Sequence, residues 1–65
     1  MLNITITPTA LYFENLSDKL YEVLKSNYHL NIIVDEKGRY LVKGTPEQLF
    51  KVMIKLSYDY DIELA

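Results

Sequence analysis

The chain has no cysteine, one histidine, two glycines and two prolines among its 65 residues, and each scarcity removes a class of chemistry. Without cysteine there is no disulfide, no thiolate metal centre and no thiol nucleophile. No apolar run approaches the roughly 20 residues that span a bilayer, so no membrane partner is expected. The first residues lack a basic stretch leading into a long apolar segment, so no secretory leader is expected and the expected location is cytoplasmic. Positive charge is scarce too. Seven scattered Lys and Arg face nine Asp and Glu, for a net charge of −2. Nucleic acids draw most of their protein affinity from cations at phosphates, which argues against them as the main partner.

What is present is a core. Hydrophobic residues make up 49% of the chain and charged residues 25%, ordinary values for a folded domain. Residues 1–65 read as a single domain. A chain this short buries only about 60% of the surface its unfolded state exposes, so one compact core, helped by self-association, must hold it. The abundance of Asn, Ile, Lys, Tyr and Phe also points to A/T-rich coding, as in a low-GC bacterium or its phages.

Periodicity supplies the elements. Leu2, Ile4 and Ile6 alternate with Asn3, Thr5 and Thr7, the pattern of a half-buried strand that Pro8 ends. Phe13, Leu16, Leu20, Val23 and Leu24 then share one helical face, and the helix starts near either Thr9 or Asn15. Leu11 lies off that face. Leu30, Ile32 and Val34 form the next strand. The turn Asp35-Glu36-Lys37-Gly38 leads into Arg39 to Lys43, pairing Val34 with Tyr40 and Ile33 with Leu41. Thr45-Pro46-Glu47-Gln48 has the form of a capping box with proline at the first helical position. Leu49, Val52, Met53 and Leu56 are that helix's buried stripe. Tyr60, Ile62 and Leu64 alternate with Asp59, Asp61 and Glu63 in a last strand.

This strand–helix–strand–strand–helix–strand string predicts an α+β, ferredoxin-like βαββαβ sandwich. Its four-stranded antiparallel sheet has order 4-1-3-2 and both helices on one face. The open face is then expected to carry Asn3, Thr5, Thr7, Asn31, Ile33, Arg39, Leu41, Lys43, Asp59, Asp61 and Glu63.

Several chemistries of such a fold find no support. Copper chaperones of this element order need a CxxC loop. RNA-recognition modules need aromatic rings on the open side of the central strands, and this reading places none there. Acylphosphatase-like enzymes need a glycine-rich anion cradle, which Thr7-Pro8-Thr9 does not resemble. His29 has Ser26 nearby, but one such neighbour at a helix end does not make a catalytic pair. Asp59, Asp61 and Glu63 stand about 7 Å apart in succession, too far to grip one ion together, and read as charge protecting an edge strand. Of the six tyrosines, Tyr40 and Tyr60 read as core, Tyr12 and Tyr21 as flanks of the helix stripe, and Tyr28 and Tyr58 as helix ends. No enzyme activity, cofactor or metal is expected.

The feature left over is Ile33 beside Leu41 on the face expected to see solvent, ringed by Thr5, Asn31, Arg39 and Lys43. A paired apolar patch with a polar rim has the layout of a small interface. The expected function is therefore a small non-enzymatic protein-binding module. Its partner would be another protein, or itself as a homodimer. A phage- or mobile-element-encoded inhibitor of a bacterial enzyme, of the anti-CRISPR or host-takeover type, would act this way by covering a surface. The alternative is single-stranded nucleic-acid binding through Arg39, Lys43 and Lys37 on the hairpin.

Overall fold

A computed structural model describes residues 2–64. The chain runs β1 (Leu2–Ile6), β2 (Ala10–Phe13), α1 (Asp18–Asn27), β3 (Ile33–Val34), β4 (Tyr40–Lys43), α2 (Pro46–Asp59) and β5 (Ile62–Leu64). The five strands form one mixed sheet of order β3-β4-β2-β1-β5. This corrects the expected four-stranded antiparallel sheet of order 4-1-3-2, although the protein remains α+β.

The difference comes from Ala10–Phe13. Pro8 does not end a strand ahead of a helix; it sits in a tight turn that folds β2 back onto β1. The Thr7 amide donates to the Ala10 carbonyl at 2.8 Å, and the Thr7 hydroxyl oxygen accepts from the Ala10 amide at 3.0 Å. Ile4 then lies opposite Phe13, Thr5 opposite Tyr12 and Ile6 opposite Leu11. β2 slides between the first strand and the Tyr40–Lys43 strand, which the expected order made neighbours. A helical crossover returns the chain parallel to the strand it left. α2 thus sets β5 in the direction of β4, and the inserted strand makes that the direction of β1 as well. β5 therefore pairs parallel to β1, Leu2 beside Ile62 and Ile4 beside Leu64.

α1 starts later than either expected position. Ser17 caps it, its hydroxyl oxygen accepting from the Leu20 amide at 3.2 Å, and Asp18 in the first turn complements the helix dipole. Asn15 is engaged elsewhere: its side-chain oxygen accepts the Asn3 amide of β1 at 2.9 Å. At the other end His29 turns the chain in the left-handed region, with φ of 55°. The capping box of α2 forms as its sequence indicates. The Thr45 hydroxyl oxygen accepts from the Gln48 amide at 3.2 Å, and the Gln48 side-chain oxygen accepts from the Thr45 amide at 3.0 Å.

The core lies between the helices and one sheet face. Leu2 and Ile4 of β1, Leu11 and Phe13 of β2, and Val42 of β4 meet Leu24 of α1 with Leu49 and Leu56 of α2. Tyr40, Tyr60 and Ile62 pack against this cluster, as expected of them. Three residues expected inside, Ile6, Val34 and Leu64, are exposed, since they lie at strand ends or on the two edge strands. The expected strand from Leu30 to Val34 shortens to two residues, Ile33–Val34. The middle ribbon nevertheless has the expected register, Ile33 opposite Leu41 and Val34 opposite Tyr40.

Candidate functional site: the open sheet face

Side chains alternate across a sheet, so the core residues fix what the other face presents. The registers place Ile33, Leu41, Tyr12 and Thr5 in one row across β3, β4, β2 and β1. Arg39 lies one step along β4 from Leu41 on this side, and Lys43 one step the other way. The structure thus gathers Ile33, Leu41, Arg39 and Lys43 around a shallow concavity of about 480 Å³, joined by Tyr12 and Lys37. Thr5 closes the far end of the row, its hydroxyl donating to Glu14 at 2.9 Å. Asn31 is exposed in the segment before β3, outside the lining of the concavity.

Two features of this face alter what it can do. Leu41 is only 3% exposed, flanked in its row by Tyr12 and Ile33 and along the chain by Arg39 and Lys43. It acts as a floor, and Ile33, at 36%, is the apolar contact that solvent reaches. The second feature is Tyr12. The Arg39 guanidinium lies over its ring, 4.5 Å from the centroid. A central strand therefore carries a ring on the open face, where the sequence reading found none. Alternation of Leu11 and Phe13 about Tyr12 was the available signal for this strand.

Asp35 holds the basic rim in place. One carboxylate oxygen accepts from the amides of Arg39 (2.8 Å) and Lys37 (2.9 Å), and the other accepts from the Arg39 side chain at 3.0 Å. Gly38 takes φ of 80°, a conformation available to glycine at little cost, and its amide returns to the Asp35 carbonyl. The Arg39 amide, then the Arg39 side chain and the Lys37 amide, favour the ionised carboxylate and lower the Asp35 pKa. Arg39 is thereby fixed as an oriented fork above Tyr12.

Elsewhere, the Tyr28 hydroxyl donates to the Asp59 carboxylate and clasps the end of α1 to the end of α2. That hydrogen bond holds the phenol neutral and pushes its pKa up to about 12. His29 is exposed. Among the described residues no group of three or more His, Asp or Glu side chains stands close enough to hold a metal ion, Asp59, Asp61 and Glu63 included. None of their helices is long and apolar enough to cross a membrane. The chain matches no family model, no curated protein and no solved structure.

Proposed function

We propose that this protein is a non-enzymatic binding module that covers a surface of another protein with its open sheet face. One observation carries the reading: Ile33 and the Tyr12 ring form an apolar centre over Leu41, rimmed by Arg39, Lys43 and Lys37, on the sheet face that neither helix covers. An aromatic anchor with an oriented arginine is the composition of interface hot spots. Such a module needs no catalytic group, and occlusion of a partner's working surface is its mode of action. Inhibition of a bacterial enzyme would be one form of such occlusion.

The test uses residues that solvent reaches, because Leu41→Asp would put a charge into a buried position. Ile33→Asp combined with Lys43→Glu should keep the far-ultraviolet circular dichroism spectrum and abolish partner capture. A double variant that captures the same protein in the same yield would remove the open face from the proposal.

Tyr12 also favours a second reading. A ring on a central strand capped by the Arg39 guanidinium, itself a plane on which a base can stack, with Lys43 and Lys37 nearby, suits a single-stranded nucleic acid. This reading expects oligonucleotide affinity that falls steeply with salt and is lost in Tyr12→Ala and in Arg39→Glu. Unchanged oligonucleotide anisotropy at low salt eliminates it.

A further inference from the structure

The outer side of α2 presents a second surface, distinct from the open sheet face. Phe50, Ile54 and Tyr58 recur every fourth residue along one stripe and are 56%, 37% and 81% exposed. α2 meets the core through other residues, Leu49, Val52, Met53 and Leu56. At one end of the stripe Phe50 lines an apolar depression of about 350 Å³ with Ile6, Pro8 and Pro46. At the other end Tyr58 projects into solvent.

We infer that this stripe is the interface of a symmetric homodimer in which α2 packs antiparallel on α2 of a second copy. Two features favour a second copy as the occupant. The stripe has the same chemistry read in either direction: ring, aliphatic, ring. A two-fold axis through Ile54 sets Ile54 against its own copy and Tyr58 of each protomer against Phe50 of the other. Each Tyr58 then enters the depression beside Phe50, so that a projection and a hollow on one surface complement each other twice.

Area supplies the second feature. The exposed parts of Phe50, Ile54, Tyr58 and Ile6 come to roughly 400 Å² per protomer on typical side-chain areas. Pro8, Pro46 and the Lys51 stem bring the pair to about 1,000 Å², where specific interfaces begin. Interfaces at this small end of the range are typical of weak, transient association. Pairing through α2 leaves both open sheet faces free, so it stands independently of the function proposed above.

Sedimentation equilibrium of the full chain from roughly micromolar to millimolar concentration should show the mass rising from one chain towards two. Ile54→Asp sets two carboxylates against each other on the axis, and Tyr58→Ala withdraws the projecting ring. Each should weaken association at least about tenfold with an unchanged circular dichroism spectrum. Because the chain has no cysteine, Ile54→Cys adds a geometric readout. Mild oxidation should link Ile54→Cys chains in pairs and leave Lys19→Cys, exposed on α1, largely unlinked. A single-chain mass at millimolar concentration overturns the inference. So does a dimer indifferent to Ile54→Asp, or an Ile54→Cys chain that links no faster than Lys19→Cys.

Discussion

Replacing Leu11 with alanine should remove a large share of the protein's stability. Leu11 is 0% exposed, sits on central strand β2 between Ile6 of β1 and Val42 of β4, and belongs to the cluster that both helices enter. Truncating such a leucine costs the transfer energy of the lost methyl groups plus the cavity they leave, about 2–5 kcal/mol. A domain of this length has roughly 3–10 kcal/mol in total. At about 4–8 °C per kcal/mol, the midpoint of thermal unfolding should fall by about 8 °C or more. Urea unfolding followed by circular dichroism gives the free energy directly. The experiment is informative because Leu11 points away from the apolar face if residues 10–13 are helical, and the loss would then be the roughly 0.5 kcal/mol of a surface change. A loss that small would refute β2 as a core strand, and with it the position of Tyr12 on the open face.

Three further outcomes are expected. His29→Gly should stabilise the protein by about 1 kcal/mol in thermal unfolding, because the left-handed conformation costs a side chain and not glycine, whereas His29→Val should destabilise it. With the Tyr28 pKa raised to about 12, its contribution is complete below the ordinary value of 10. It is lost as pH climbs through the folded value, because the unfolded phenol ionises first. Tyr28→Phe should remove this alkaline decline and the matching component of an ultraviolet absorbance titration. Asp35 behaves in the opposite sense. Its lowered pKa contributes stability that is whole above the ordinary value of 3.8 and disappears as pH falls through the folded value, so Asp35→Ala should flatten the acid side of the stability profile. The same variant should lose hydrogen-exchange protection at the Lys37 and Arg39 amides.

The legible parts of the sequence were those where local signals agree. Asp35, Gly38 and the alternation on either side fixed the register of the β3–β4 ribbon, and Thr45, Pro46 and Gln48 fixed the start of α2. Ala10–Phe13 was not legible because Phe13 satisfies both periods. It lies in register with Leu16 and Leu20 as a helical residue, and with Leu11 as a strand residue. Leu11 was the discordant position, and the turn at Thr7-Pro8-Thr9 resolves it. That one short strand moves β5 from antiparallel to parallel and brings Tyr12 onto the open face. Four of the six expected site residues, Ile33, Leu41, Arg39 and Lys43, came together because they depend only on the ribbon that was read correctly, while Thr5 and Asn31 lie outside the concavity. The second stripe of α2 was overlooked because Glu47, Lys51 and Lys55 interleave with Phe50, Ile54 and Tyr58 and gave that side the look of an ordinary solvated row.

The pairing of β5 with β1 also sets a timetable for synthesis. Fifty-five residues lie between Ile6 and Ile62, so at ordinary translation speeds the flank of the first strand waits about 3 to 11 seconds for its neighbour. Until β5 docks, that edge of the hairpin offers bare amide and carbonyl groups to any passing extended chain. Chaperone contact with the hairpin should accordingly fall once Ile62–Leu64 pair with β1.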